Sequence, residues 1–259
     1  MTDDPRGSVL ATRLRALPWA MTELVRFVTA RLTGAPPVQE GALAWAREHA
    51  RPGDPATVLA ALDRFAAERR FLMNVGEKAP LLEDVVRGFG PSARIVELGS
   101  FVGYSAIAMA RHLGPGGRLV SIDVSPTASR VSRQMAELAG VGERTEFLCG
   151  KSGDVLATLR EPFDVVFLDH WKGLYLDDAR LILERGLARD GVVFIADNVG
   201  PLFGDNPYVP WMRARDDFDS TYVRGHVEYR PEIEDGVLVS RRRPRGAATE
   251  HAGAREPGA

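Results

Sequence analysis

The spacing of hydrophobic residues changes along this chain, and the change predicts the fold. Up to residue 73, apolar side chains recur every three or four positions, which predicts helices over 39–51 and 55–73. After residue 93, short apolar runs alternate with helical segments. The predicted strands are 94–98, 119–123, 145–149, 163–168 and 191–196, with two more near 222–229 and 236–241, and the predicted helices between them are 104–113, 126–139, 152–160 and 175–187. This alternation is typical of an α/β protein with a doubly wound, mostly parallel, Rossmann-like sheet of seven strands, helices on both faces and N-terminal helices before it.

Three regions are predicted: a helical extension (1–36), the α/β domain (37–241) and a disordered tail (242–259) rich in Arg, Gly, Ala and Pro. The extension has apolar residues at helical spacing: Leu10, Leu14, Leu17, Met21, Leu24, Val28 and Leu32. We expect this helix to pack on the domain or on a second copy of the chain, which makes a homodimer possible. Its arginines leave a membrane surface as an alternative.

Composition excludes several classes of partner. The chain has 259 residues, 45% of them hydrophobic and 26% charged, with a net charge of −2. This balance gives no reason to expect nucleic acid as a partner. There is no apolar run long enough to span a membrane and no recognisable signal peptide, so we expect a cytoplasmic protein. The single cysteine, Cys149, ends a predicted strand, and we expect it to be a small buried residue rather than a nucleophile.

Acidic residues follow two of the predicted strands directly. Asp169 comes after the run 163–168, with Lys172 three positions later, and Asp197 and Asn198 come after the run 191–196. The carboxyl ends of parallel strands form the edge where ligands bind in such sheets. Two carboxylates and an amide are oxygen ligands of the kind that Mg²⁺ prefers over zinc. The sequence therefore predicts a metal site at this edge, with a lysine within reach of whatever the metal holds.

A glycine-containing turn follows the first strand. Gly99 and Gly103 let the backbone approach a ligand at a helix N-terminus, but their spacing differs from the G-x-G-x-x-G fingerprint of dinucleotide sites. Glu97, just before the turn, suits a cationic amine better than phosphates. Asp123 ends the second strand, where a carboxylate can take both ribose hydroxyls. The alternative for Asp123 is a structural role at the start of the next helix.

These segments resemble a known family. Glu97-Leu98-Gly99-x-x-x-Gly103-Tyr104-Ser105 resembles the first motif of class I S-adenosylmethionine-dependent methyltransferases. Within that class, four further motifs resemble catechol O-methyltransferase: Phe167-Leu168-Asp169-His170-Trp171-Lys172, Ala196-Asp197-Asn198-Val199, Met73-Asn74-Val75-Gly76, and Glu228-Tyr229-Arg230 with Asp235-Gly236. The resemblance runs from about residue 40 to 240, in order and at closely matching spacing.

The resemblance implies an Mg²⁺-dependent transfer of a methyl group from S-adenosylmethionine to one hydroxyl of a small aromatic, catechol-like diol. Lys172 would be the general base and would contact the substrate together with Asn198 and Glu228. The implied Mg²⁺ ligands are Asp169, Asp197 and Asn198. The implied S-adenosylmethionine contacts are Val75, Glu97, Ser105, Asp123, Val124, Ser152 and Asp169, with Trp171 packing on the adenine. His170 is interpreted as a packing or hydrogen-bonding residue.

Departures from the family pattern concern the pocket walls. Gly153 stands where the family has a glutamine, Phe71 stands where it has a tryptophan, and the loop 199–212 differs in sequence and length. These differences leave a second hypothesis open, a related enzyme for another vicinal diol such as a caffeoyl-type ester or a secondary metabolite. Two further alternatives are a nicotinamide-dependent dehydrogenase and a non-catalytic binding or scaffolding protein. The glycine spacing argues against the first, and the intact set of acids and lysine argues against the second.

Overall fold

A computed structural model of the chain describes residues 34–69, 75–203, 206–227 and 230–244, together with Leu14, Ala16–Pro18, Met21, Thr22, Val25 and Thr29. Several parts of the sequence analysis lie outside these residues: most of the extension 1–36, Phe71, Met73 and Asn74, Glu228 and Tyr229, and most of the tail 242–259. The predicted domain boundaries and the possible homodimer are not tested by a single chain and stay predictions.

Seven strands form one sheet in the order β3-β2-β1-β4-β5-β7-β6. Their bounds are β1 Arg94–Leu98, β2 Arg118–Asp123, β3 Thr145–Cys149, β4 Phe163–Leu168, β5 Ala188–Ala196, β6 Phe218–Val227 and β7 Arg230–Arg242. Strands β1 to β5 pair in parallel, whereas β7 pairs antiparallel with both β5 and β6. The order reverses at β1, which lies between β2 and β4. The predicted mostly parallel, seven-stranded sheet is confirmed.

The helices cover both faces of this sheet. Their bounds are α1 Val38–His49, α2 Pro55–Glu68, α3 Ala79–Phe89, α4 Tyr104–Ala110, α5 Pro126–Leu138, α6 Ser152–Leu156, α7 Tyr175–Glu184 and α8 Tyr208–Arg213. Side chains alternate between the faces along each strand. Ile95 and Val165 therefore pack into a core with α1–α5. Val96 and Val166 pack into a second core with α6, α7 and α8.

Local sequence explains where several of these elements begin. Helix α2 starts as predicted, because the Asp54 side chain accepts hydrogen bonds from the backbone N–H groups of Ala56 and Thr57 and Pro55 occupies the first turn. The helices end up to five residues earlier than predicted, and β6 and β7 are longer. Sequence analysis missed α3 and α8. Helix α3 carries its own signal, a proline in the first turn followed by Leu82 and Val86 on the buried face.

One expectation about burial needs correction. Cys149 is exposed, not buried. It ends β3, which is an edge strand with a neighbour on one side only, so the end of this strand is not covered.

The described residues of the N-terminal extension do not decide how it packs. Leu14, Leu17 and Met21 are more than half exposed in the single chain, and Ala16 is buried in a small cluster with Val227 and Ile233. Packing of the extension on a second copy of the chain stays a prediction.

The backbone at the end of β1 is tightly constrained. Gly99 has φ +103°, and its N–H donates to the carbonyl oxygen of Ile122 at 2.8 Å. A Cβ atom at this position would lie 2.4 Å from the carbonyl oxygen of Asp169. Only glycine combines this conformation with this close approach. The turn after β1 can therefore lie directly against the acid-bearing end of β4.

We predict that Gly99→Ala destabilises the fold by about 2–3 kcal/mol, because the side chain adds backbone strain and a clash with the backbone of residue 169. Urea unfolding followed by circular dichroism measures this. The matched control is Gly88→Ala in α3, where a Cβ would meet nothing within 4 Å and where alanine is the better helix former. Equal stability of Gly99→Ala and the wild type would contradict the close packing described here.

Candidate active site

A large cavity of about 1160 Å³ opens at the carboxyl edge of the sheet, where strand order reverses. Its walls come from the turns after β1 to β4 and from α7. The lining residues include Ser105, Asp123, Val124, Ser152, Asp169, His170, Trp171, Lys172, Asp178 and Phe203. Predicted residues from four different strand ends are thus brought to one place, as this topology favours.

Glu97 is fully buried and does not itself line the cavity, but it contacts Ser105, which does. The hydroxyls of Ser105 and Ser121 donate to its two carboxylate oxygens. Burial raises the pKa of Glu97 to about 7, and the two hydroxyl hydrogen bonds oppose that rise. A carboxyl group poised near neutrality, with Ser105 between it and the cavity, can pair with a cationic ligand group that replaces the lost hydration.

The Asp123 carboxylate, at the end of β2, already accepts several hydrogen bonds from the protein. Its Oδ2 accepts hydrogen bonds from the backbone N–H groups of Ser100 and Phe101 at 3.0 and 3.1 Å, and its Oδ1 accepts one from the Ser125 N–H at 2.8 Å. The alternative interpretation is therefore partly right, although the helix N-cap is Ser125 rather than Asp123. Oδ2 also accepts from the Ser100 hydroxyl at 3.3 Å, whereas Oδ1 has acceptor capacity left, so Asp123, on the cavity wall, can still take a ribose hydroxyl.

The acid-bearing ends of β4 and β5 come together as predicted. Lys172 Nζ donates to Asn198 Oδ1 at 2.9 Å and lies 3.4 Å from Asp169 Oδ1. It also donates to the hydroxyl of Tyr175 at 2.9 Å, and that hydroxyl donates to the carbonyl oxygen of Asp197 at 3.1 Å. Asn198 has φ +52°, a left-handed conformation that asparagine tolerates better than most residues. The lysine amine is thus held at the predicted metal edge.

Oxygen donors at this edge fit Mg²⁺. The Lys172 ammonium lies between oxygens of Asp169 and Asn198, so a cation is already accommodated where these donors converge. Within the described residues there is no group of three or more His, Cys, Asp or Glu side chains able to hold a metal. Two carboxylates with an amide fit Mg²⁺, because this ion often uses few protein ligands and completes its shell with water and substrate oxygens.

Asp197 is the more buried of the two acids. Burial raises its pKa to about 6, while the Lys78 ammonium opposes the rise and the Asp169 carboxylate adds to it. Lys78 Nζ donates to Asp197 Oδ1 at 2.6 Å and to Asp235 Oδ2 at 2.9 Å. Neither Lys78 nor Asp235 was identified as a site residue from sequence. Asp235 was named only within the Asp235-Gly236 motif, and no local pattern signals Lys78, since it lies 119 and 157 positions from these two acids.

The remaining predicted residues divide between the cavity and the core. Val124 and Trp171 are 68% and 77% exposed on the cavity wall, free to pack on a ligand. Ser152 Oγ donates to Asp178 Oδ2 at 2.6 Å beside Gly153. Val75, in contrast, is buried in the core next to α3 and does not line the cavity.

His170 has the packing and hydrogen-bonding role that its sequence context indicated. Its Nε2 lies 2.7 Å from Asp178 Oδ2, and its ring stacks on Tyr175 with the centroids 5.1 Å apart. Phe203 was missed as a cavity residue. Its ring centre lies 5.6 Å from Lys172 Nζ, in the turn that follows Asn198.

Comparison with known proteins identifies the family of this chain. The family model described as O-methyltransferase matches residues 53–203. Catechol O-methyltransferase of Mus musculus is 39% identical over 197 residues, covering 74% of this chain and 73% of the relative. A probable O-methyltransferase of Mycobacterium tuberculosis is 36% identical, covering 74% and 86%. The O-methyltransferase TomG of Streptomyces achromogenes, solved in complex with SAM, superposes with a TM-score of 0.61 at 26% identity, covering 71% and 88%.

The fold and the site together define an enzyme of the S-adenosylmethionine-dependent methyltransferase class. Its matches to the family model and to curated relatives place it further: the chain belongs to the O-methyltransferase family, and within it to the catechol O-methyltransferases. Some relatives at 34% identity carry the name transmembrane O-methyltransferase. In the described part of this chain, no helix is both long and apolar enough to cross a membrane.

We predict that the unliganded protein loses stability as pH rises from about 5 to 7.5. The folded-state pKa of Glu97 is raised from 4.5 to about 7, so the folded state binds more protons than the unfolded state in this window, and stability falls through it. Glu97→Gln removes this contribution and should be more stable than the wild type at pH 7.5 by about 2–3 kcal/mol, with a shallower pH slope. Denaturant unfolding at several pH values measures both.

The matched control for this prediction is Glu137→Gln, which changes an exposed glutamate on α5. It should keep the wild-type slope. If the free energy of unfolding of Glu97→Gln fell with pH as steeply as that of the wild type, burial of the Glu97 carboxyl group would not destabilise the protein at neutral pH.

Proposed function

We propose that this protein is an Mg²⁺-dependent O-methyltransferase that moves the methyl group of S-adenosylmethionine to one hydroxyl of a catechol-like vicinal diol. The proposal rests on family membership for the reaction class and on the geometry of the cavity for the roles of individual residues. The observation that carries it is the position of Lys172. Its amine lies on the cavity wall, 2.9 Å from Asn198 Oδ1 and 3.4 Å from Asp169 Oδ1.

Lys172 is the proposed general base. A phenolic hydroxyl is a weak nucleophile until it loses its proton, and a positioned amine in its neutral form can accept that proton at Nζ. Tyr175 fixes the amine, because its hydroxyl accepts a hydrogen bond from Nζ while donating to the backbone of residue 197. The Tyr175 side chain is fully buried, so the lysine is anchored at a rigid point of the core rather than on a mobile surface.

Asp169, Asp197 and Asn198 are the proposed holders of Mg²⁺. When bound, Mg²⁺ supplies Lewis-acid stabilisation of the negative charge that develops on the oxygens of the diol. Asn198 Oδ1 would face both the ion and the substrate, as the family resemblance implies. Glu228, which the resemblance gives to the second hydroxyl, lies outside the described residues and keeps that role as a proposal.

Glu97, Ser105 and Asp123 are the proposed anchors of the methyl donor. The donor carries an α-amino group, for which the Glu97 carboxylate is the buried counter-charge, and a ribose, for which Asp123 is the acceptor. Val124, Ser152 and Trp171 would enclose the adenine end, and Asp169 would contribute from the strand beside it. Val75 is buried and does not line the cavity, so its side chain would support the donor site only by packing behind the cavity wall. These residues would hold the donor beside the edge that carries Lys172, so catalysis would depend mainly on positioning.

We expect the part of the cavity wall around Phe203 to determine which diol accepts the methyl group. Phe203 stands over Lys172 there, in the loop that departs from the family pattern. A catechol is the proposed acceptor because the curated relatives are catechol O-methyltransferases. A larger vicinal diol, such as a caffeoyl-type ester, is the second candidate, because the cavity is large. A methyl-transfer assay over a panel of diols, with single-hydroxyl phenols as controls, separates the two.

We predict that Lys172→Met lowers kcat by about 10²–10⁴-fold, the range of a lost general base, while the dissociation constant of S-adenosylmethionine changes little. Methionine fills similar space without the amine. Initial rates with a catechol and calorimetric titration of the donor measure the two quantities. A variant with wild-type kcat would rule out the lysine as base.

We also predict that chelation of divalent metal by EDTA abolishes turnover and that added Mg²⁺ restores it, because the charge of the ionising diol would otherwise lie beside two carboxylates. Donor binding, measured in the same buffers, is the control and should persist. Full turnover in EDTA would contradict the metal-dependent part of the proposal and would leave the methyltransferase class untouched.

A further inference from the structure

A buried charge cluster lies directly behind the proposed metal edge. It consists of Lys78, from the start of α3, and Asp235, from β7, and both side chains are almost completely buried. Lys78 Nζ donates one hydrogen bond to Asp235 Oδ2 at 2.9 Å and another to Asp197 Oδ1 at 2.6 Å. A buried pair of this kind is weak evidence for stability, because removing both charges from water costs about as much as their attraction returns. Its contacts indicate another role.

Asp235 holds the segment that follows Asp197. Its Oδ2 accepts a hydrogen bond from Asn198 Nδ2 at 2.8 Å, and its Oδ1 accepts one from the Gly200 N–H at 3.1 Å. The next residue of β7, Gly236, accepts the Val199 N–H at 3.0 Å through its carbonyl oxygen. Because the amide nitrogen of Asn198 is tied to Asp235, its oxygen must point the other way, toward Lys172 and the proposed metal.

Lys78 orients Asp197 in a similar way. Two donors, Lys78 Nζ and the Asn198 N–H at 2.7 Å, both bond to Oδ1 of Asp197. No hydrogen bond among the described residues uses Oδ2 of this carboxylate. One oxygen is therefore fixed to the protein and the other is left for a ligand. Metal-binding side chains are commonly oriented by such outer partners, and loss of a partner typically costs 10–100-fold in metal affinity or activity.

We propose that Asp235 and Lys78 are positioning residues that hold Asn198 and Asp197 in the orientation that binds Mg²⁺. This inference rests on the proposed function, since it concerns the same metal edge. It extends the site to two residues that do not line the cavity, and it gives a role to the Asp235-Gly236 segment. Gly200 belongs to the same arrangement, because a Cβ there would lie 2.5 Å from the Asp235 Cα atom.

Asp235→Asn tests the proposal by calorimetric titration of Mg²⁺ into the full-length protein saturated with S-adenosylmethionine. The variant keeps the shape but presents an amide, which cannot accept from Lys78, Asn198 and Gly200 together, so the Asn198 amide loses its fixed direction. We expect Mg²⁺ to bind 10–100-fold more weakly, with the donor dissociation constant within about twofold of the wild type.

The matched control is Asp164→Asn, which removes one carboxylate at the opposite end of β4, where Asp164 pairs with Arg189. It should leave Mg²⁺ affinity unchanged.

A second variant, Gly200→Ala, displaces Asp235 without removing its charge, and serves if Asp235→Asn fails to fold. Its control is Gly88→Ala on open α3 surface. We expect weaker Mg²⁺ binding for Gly200→Ala alone. Folded Asp235→Asn or Gly200→Ala protein with wild-type Mg²⁺ affinity overturns the inference. A wild-type protein that binds no Mg²⁺ at millimolar concentration overturns the metal-dependent proposed function instead, so the two failures are distinguishable.

Discussion

The site depends on the register of three parallel strands at their carboxyl ends. Strand β1 pairs with β4 so that Leu98 is opposite Leu168, and β4 pairs with β5 so that Leu168 is opposite Ala196. The ladder continues one step further, as the N–H of Asp169 donates to Leu98 and that of Asp197 donates to Leu168. Gly99, Asp169 and Asp197 therefore leave the sheet side by side. A slip of one residue would turn every side chain of a strand to the other face and would separate the acids.

Concentrating acids at one edge creates an electrostatic cost, and the surrounding structure offsets it. Three carboxylates, those of Asp169, Asp197 and Asp235, lie near one another, and Asp169 and Asp235 both raise the pKa of Asp197. Two lysines stand among them, Lys172 on the cavity side and Lys78 on the core side. In the proposed site, the two lysines would have different roles. Lys172 lines the cavity and would meet the substrate, whereas Lys78 contacts two buried acids and would fix their direction.

The strands and the outline of the site could be predicted from sequence because both are local signals. Strands β1, β3 and β4 have the predicted bounds, since short β-branched runs between turn residues leave little ambiguity. Asp169 and Asp197 were found because topology places strand ends together. Lys78 and Asp235 were not, because their significance arises from contacts between distant segments. Cys149 was misjudged for a related reason: its apolar context is local, but its exposure depends on β3 being the edge strand.

In the proposed site, the edge formed by β4 and β5 binds a divalent ion beside the methyl donor. Anomalous diffraction from crystals grown with S-adenosylmethionine and Mn²⁺, a close substitute for Mg²⁺ at oxygen sites, locates such an ion. We predict one strong anomalous peak within coordination distance of side-chain oxygens of Asp169, Asp197 and Asn198, on the cavity side of Lys78. A peak held by other residues, or none at this edge in crystals that contain the donor, would contradict it.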